Sequence, residues 1–197
     1  PGGPFPSQKE AAAFMTLHPR SFNLSEMGVG KSLSTLWAYD YLRSIGKRRR
    51  MLVIAPLSTL ERTWGDEIFK HFPHLTFAVL HGTKERRKKL LAHPFDVYII
   101  NHDGVEVVAG ELAKREDIDV VPIDELAVLR NGNTARWKAT ELLCRMPDRI
   151  VWGLTGTPIP NEPTDAWAQV KLIRPDNVPK YFGRFREMTM VKFGPYK

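Results

Sequence analysis

The chain has a single cysteine, Cys144, in 197 residues, so no disulfide within it is possible and the core must hold by packing. That thiol sits in Glu141-Leu142-Leu143-Cys144-Arg145. The setting reads as a small apolar helix position in a reduced compartment, because no histidine or cationic turn marks it as reactive. Long hydrophobic runs are also lacking. None approaches the roughly 18 residues of a membrane span, and the start lacks the basic-then-apolar layout of a secretion signal. The expectation is a cytoplasmic or nuclear protein with no membrane partner. No initiator methionine stands at the start, and Pro1-Gly2-Gly3-Pro4-Phe5-Pro6 suggests a piece of a longer polypeptide with a loose lead-in. Histidine, cysteine and carboxylates do not fall at ligand spacing, which argues against His81 or His102 as a metal ligand.

Acidic residues are in deficit, 22 against 29 Lys and Arg, leaving a net charge of +7. That surplus suits a polyanionic partner, since clustered cations gain affinity by releasing counterions from phosphates. The densest clusters are Lys47-Arg48-Arg49-Arg50 and Lys84 to Lys89, and a solvated helix end or face explains either one equally well. A hydrophobic content of 43% over this length fills one core and predicts one domain. It is expected over residues 1–174, with 175–197, rich in Pro, Gly and basic residues, as a linker or extension.

Short apolar runs alternate with helical patterns, the mark of βα units and a parallel sheet covered on both faces. Ser7-Gln8-Lys9-Glu10 reads as a capping box opening a helix to Leu17. Strands are expected at Phe22–Leu24, Met51–Ala55, Thr76–Leu80, Asp96–Ile100, Asp119–Ile123 and Ile150–Leu154. Helices are expected at Lys31–Ile45, with Leu33, Leu36, Trp37, Tyr41 and Ile45 as the buried stripe, and at Leu60–Phe69 behind a Ser58-Thr59 cap. Further helices fall at Lys84–Leu91, Thr134–Cys144 and Thr164–Ile173. Pro122 cannot donate to a ladder, so its strand is expected to be bent or shortened. Trp37, Trp64, Trp137 and Trp167 fall at apolar helix positions and are expected in the core rather than stacked on bases.

Chemistry concentrates in two places. Ser25-Glu26-Met27-Gly28-Val29-Gly30-Lys31-Ser32 lies between a strand and a helix, where a phosphate-binding loop must sit. Its glycines let backbone N–H groups of Met27, Gly28, Val29 and Gly30 turn toward phosphate oxygens, Lys31, expected as a solvent-facing point charge, neutralises charge, and the Ser32 hydroxyl can bind Mg²⁺. Asp124-Glu125 ends an apolar run. Asp-Glu is a common dipeptide, but behind such a loop the aspartate suits Mg²⁺ and the glutamate can polarise an attacking water. The expected cofactors are therefore ATP and Mg²⁺.

These segments, with Leu52 to Leu60 followed by Trp64, Arg130-Asn131 after the acidic pair, and Leu154-Thr155-Gly156-Thr157-Pro158-Ile159 followed by Asn161 and Trp167, resemble motifs I, Ia, II and III of Swi/Snf-like superfamily 2 ATPases, in order. The resemblance covers nearly the whole chain. It implies a three-layer RecA-like P-loop domain with a mainly parallel sheet, the first motor lobe of a DNA-dependent ATPase or translocase. It implies that Gln8 reads adenine, that Lys31, Asp124 and Glu125 are catalytic, and that Thr155, Gly156 and Thr157 couple nucleotide state to the track. Pro56, Leu57, Ser58 and Thr59, with Asn101 and His102, would contact nucleic acid, duplex DNA by resemblance. The arginines that such motors use against the transferring charge belong to a second lobe of the same polypeptide, which this chain does not include. Two departures stand out: Ser25 where the family commonly has Asp, and Leu126-Ala127 where it has Ala-His or Gly-His. An RNA or restriction-type helicase lobe, or a nucleotide-binding scaffold that does not hydrolyse ATP, stays open as an alternative.

Overall fold

A computed structural model describes residues 4–26 and 28–190. In chain order, α1 (Pro6–Leu17) leads into β1 (Arg20–Asn23), and α2 (Lys31–Ser44) into β2 (Arg50–Ala55). A 3₁₀ turn at Leu57–Thr59 and a π-helix at Leu60–Gly65 run straight into α3 (Asp66–His71). Then come β3 (Phe77–Leu80), α4 (Lys84–Leu91), β4 (Val97–Asn101), α5 (His102–Val107), α6 (Ala109–Leu112) and β5 (Ile118–Asp124). A 3₁₀ turn at Leu126–Leu129 precedes α7 (Ala135–Cys144), β6 (Ile150–Leu154), α8 (Asp165–Ile173) and α9 (Phe182–Thr189). No helix among the described residues is long and apolar enough to cross a membrane.

The strands form one six-stranded sheet in the order β1-β6-β5-β2-β4-β3, every pair parallel. Alternation along each strand divides the core in two. Leu52, Ile54, Tyr98, Ile100, Val121 and Ile123 face the cluster under α4 to α8. Met51, Val53, Val97, Ile99, Val120 and Trp152 face the cluster under α1 to α3. Both faces are therefore covered, which is why these strands read as continuous apolar runs.

Pro122 does not shorten β5, which runs for seven residues. Opposite β6 it keeps register with Trp152. On the β2 side the pairing passes from Met51↔Val120 to Ile54↔Ile123, and that gap accommodates the missing N–H. The buried face of α2 also differs from the expected stripe. Ser34, Thr35, Leu36, Ala38, Tyr39 and Leu42 are buried, whereas Tyr41 and Ile45 are exposed. Small residues let this helix approach α1, and the Tyr39 hydroxyl donates to the carbonyls of Arg49 and Asp96 at 3.1 and 2.9 Å.

The N-cap of α1 is Phe5, not Ser7. Ser58 and Thr59 belong to the 3₁₀ turn, and Thr59 donates back to the Pro56 carbonyl instead of capping a helix. The Lys47–Arg50 cluster sits at the start of β2, the sheet end opposite the glycine-rich loop, with Arg49 paired to Asp119 and Arg50 to Asp117. Those two arginines hold the sheet end together. Past residue 174 the chain forms a 3₁₀ turn and α9, and the Trp167 indole donates to the Pro179 carbonyl at 2.9 Å.

Candidate nucleotide site at the strand ends

A parallel sheet brings the C-terminal ends of its strands to one edge, where such sheets hold ligands. Here that edge gathers Asn23, Pro56, Asn101, Asp124 and Thr155. The glycine-rich loop leaves β1, and Gly28 and Gly30 both adopt φ +80°, a conformation that glycine takes without penalty. At Gly30 space demands glycine as well, because a Cβ would collide with the Gln8 side-chain amide. Met27 lies outside the described residues.

Gln8 is buried and engaged at both ends. Its Oε1 accepts from the Phe5 N–H at 3.0 Å and its Nε2 donates to the Val29 carbonyl at 3.1 Å, so it caps α1 and holds the loop at once. Lys31 was expected to face solvent. It is instead 9% exposed, its ammonium donating to the carbonyls of Ser25 at 3.0 Å and Glu26 at 2.9 Å. These contacts close the loop on itself and leave a cavity of only about 170 Å³ beside Gln8, Asn23, Lys31 and Ser34, below the usual size of a ligand pocket.

The residues fit a bound nucleotide. The first N–H groups of α2 have no acceptor within the helix, Lys31 and half-buried Ser32 begin that helix, and the Nδ2 of Asn23, buried in the same cavity, has no partner among the described residues. Mg²⁺ fits too. The Ser32 hydroxyl and the Asp124 carboxylate are hard oxygen donors, few enough to suit an ion shared with phosphates.

Asp124 ends β5. Burial raises its pKa, an effect opposed by the Trp64 indole, the Glu125 N–H and the charge of Lys31. Trp64 Nε1 donates to Oδ2 at 3.1 Å, and the Glu125 N–H donates to Oδ1 at 3.0 Å. Glu125 itself has φ +49° and ψ +51°, a left-handed conformation costing a non-glycine residue about 1 kcal/mol or more. Such strain concentrates where a turn must aim a side chain.

Of the residues expected to meet nucleic acid, Leu57 and Ser58 are exposed and Pro56, Thr59 and Asn101 half-buried. His102 is different. Its ring is 4% exposed, with Nε2 at 2.9 Å from the Asp124 carbonyl oxygen, and burial lowers its pKa to about 4. Arg87, buried in α4, donates to the carbonyls of Leu80 and Gly82 and reaches Asn101 Oδ1 at 3.4 Å. Thr155 is fully buried, its N–H on the Asn23 carbonyl at 3.1 Å. Its hydroxyl accepts from the Thr157 N–H at 3.2 Å. Gly156 between them is half-buried and Thr157 exposed. Trp64, Arg87 and Asn23 carry site geometry that sequence reading missed; only Trp64 had a signal, its place just after the segment at Pro56 to Thr59. Trp64 and Trp137 are core residues as expected, and Trp137 stacks on half-buried Trp167 with ring centroids 6.3 Å apart.

Residues 8–193 match the family profile described as SNF2-related domain. The chain is 35% identical over 159 residues to the ISWI chromatin-remodeling complex ATPase ISW1 of Saccharomyces cerevisiae, a match covering 77% of this chain and 14% of that protein. It is 31% identical over 157 residues to ISW2 of the same organism, with the same coverage. Among solved structures, the Sulfolobus solfataricus SWI2/SNF2 ATPase core in complex with dsDNA superposes with a TM-score of 0.81 at 26% identity, over 94% of this chain and 38% of that one. This chain thus spans a small part of each yeast relative and under half of the archaeal core.

Proposed function

The chain belongs to the SNF2-related family, and from that premise we propose that it is the first RecA-like lobe of an ATP- and Mg²⁺-dependent motor that moves on duplex DNA. The observation that carries this reading is the sheet order, which brings the loop between β1 and Lys31 and the end of β5 at Asp124 to one strand edge. The adjoining turns leave Leu57 and Ser58 exposed for a polyanion.

In this reading Lys31 exchanges the carbonyls of Ser25 and Glu26 for phosphate oxygens, and the N–H groups at the start of α2 bind the same anion. Gln8 gives up Val29 to meet the adenine edge, since an amide both donates and accepts. Ser32 and Asp124 would hold Mg²⁺, which when bound neutralises phosphate charge. Glu125 accepts a proton from the attacking water on a carboxylate oxygen. Pro56 to Thr59 and Asn101, in the turn after β4, meet phosphates without reading bases, which suits a motor indifferent to sequence. Thr155, Gly156 and Thr157 join the loop after β6 to β1 and couple the two. The segment from 175 onward leads toward a second lobe, the source of the arginine that stabilises transferring charge.

Steady-state phosphate release tests this. The full-length protein should hydrolyse Mg·ATP faster with duplex DNA than with RNA, and this lobe alone should be slower by about 10³-fold or more, the usual worth of such an arginine. RNA stimulation exceeding that of DNA would favour an RNA helicase lobe. Absence of turnover despite nucleotide binding would favour a scaffold.

A further inference from the structure

Asp124 is held from two sides by ring nitrogens of residues far from it in sequence. The Trp64 indole donates to its carboxylate at 3.1 Å from 60 positions away, and His102 meets its main-chain carbonyl at 2.9 Å from 22 positions away. A carbonyl only accepts, so His102 Nε2 must carry the hydrogen and the ring must be the Nε2–H tautomer. With the Glu125 N–H on the other carboxylate oxygen, both oxygens and the carbonyl of Asp124 are engaged.

Both rings come from the turns assigned to nucleic acid. Trp64 lies in the π-helix that directly follows Leu57–Thr59. This wide turn is rare and frequent at functional sites. His102 begins α5 behind Asn101. β2 runs between β4 and β5, so His102 reaches from the end of β4, past β2, to the end of β5. Neither ring can itself touch a polyanion, being 0% and 4% exposed, yet each is tied through a few residues of backbone to groups that are exposed.

Resting on the function proposed above, we propose that Trp64 and His102 are positioning residues through which nucleic acid at the strand ends sets the orientation of the Asp124 carboxylate. A displacement of either turn moves one N–H, and with it the carboxylate or the peptide that carries it. Linkage then requires the converse: a nucleotide held with Mg²⁺ at Asp124 must change the affinity of the turns for DNA by the same factor.

The test is equilibrium binding of a labelled duplex to the full-length protein at fixed salt, with and without Mg²⁺ and a non-hydrolysable ATP analogue. The wild type should show an affinity ratio of about 5-fold or more, the lower range of allosteric coupling. Trp64→Phe keeps an aromatic ring and removes only the donor with its fused ring; it should bind DNA as the wild type does without nucleotide, with the ratio falling to about 1. His102→Leu should also lose the ratio, and His102→Gln, which restores an N–H donor, should recover it. Should Trp64→Phe fail to fold, judged by thermal melting, the two His102 variants decide. A wild-type ratio in both Trp64→Phe and His102→Leu overturns the proposal. A ratio of 1 in a wild type that binds both ligands overturns it while leaving the proposed function standing. Failure of the wild type to bind the Mg²⁺ analogue overturns both.

Discussion

The Gln8 amide and the Val29 carbonyl meet at 3.1 Å, and this bond ties the first helix to the glycine-rich loop. The same side chain caps α1 at Phe5. Gln8→Ala should therefore cost about 1 kcal/mol of stability, the ordinary worth of a cap, or roughly 2–4 °C in melting temperature for a domain of this size. It should also reduce discrimination between ATP and GTP. Thermal melting and competition binding measure the two effects separately; unchanged selectivity would remove Gln8 from base recognition.

Lys31→Ala should weaken Mg·ATP binding by roughly 10- to 150-fold, taking about 1.5–3 kcal/mol for a charged hydrogen bond. Because Lys31 also ties down the carbonyls of Ser25 and Glu26, the variant should lose some stability as well. Isothermal titration beside a urea melt checks both, and unaltered affinity in a folded variant would remove Lys31 from the phosphate site.

Gly28→Ala and Gly30→Ala should differ although both glycines have φ +80°. A Cβ at Gly28 meets nothing within 4 Å, whereas at Gly30 it meets Gln8. The first variant carries only the left-handed penalty of about 1 kcal/mol. The second adds a clash, so Gln8→Ala should partly rescue Gly30→Ala and leave Gly28→Ala unimproved, a non-additivity that a double-mutant cycle in urea reads directly.

Asp117 is held by the Arg115 guanidinium, which lowers its pKa to about 2 despite partial burial. Its unfolded pKa is near 3.9, so the unfolded chain binds more protons between the two values. The stability that this carboxylate contributes is present above about pH 4 and lost as pH falls through about 2. Asp117→Asn should flatten the fall of the urea midpoint across that window; an unaltered slope would show that Asp117 does not contribute to it.

Strands with both faces covered were legible because burial on both sides leaves an uninterrupted apolar run, as at Met51–Ala55 and Ile150–Leu154. The glycine-rich turn was legible because its glycines answer to local backbone chemistry. What sequence reading missed depends on meetings across the fold. The Trp64 indole finds Asp124 from 60 residues away, a pairing that leaves no periodic trace. The burial of His102 follows from strand order, which no local pattern reports. Lys31 was misjudged as solvent-facing because the loop's own carbonyls, rather than water, receive its ammonium.

In the turn after β4, Gly104 is enclosed by Arg87 and Asn101. A Cβ at Gly104 would stand 2.5 Å from Asn101 Oδ1 and 3.0 Å from Ile100 Cγ1, and against the Arg87 guanidinium. Its φ is not positive, so space and not backbone conformation requires glycine. Ile100 is a buried strand residue and cannot yield. Arg87 cannot yield cheaply either: it is 7% exposed, burial lowers its pKa, and its contacts with the carbonyls of Leu80 and Gly82 compensate a buried charge. Asn101 is half-buried at the strand end and is the residue free to move. Gly104→Ala should therefore displace Asn101, weakening duplex DNA binding while the fold and nucleotide binding survive. Arg87→Ala should instead lose about 1.5–3 kcal/mol of stability, the worth of hydrogen bonds from a charged donor. Comparing DNA affinity at fixed salt with the urea midpoint for the two variants separates these effects. DNA affinity equal to wild type in Gly104→Ala would mean that the Asn101 turn does not belong to the nucleic-acid track.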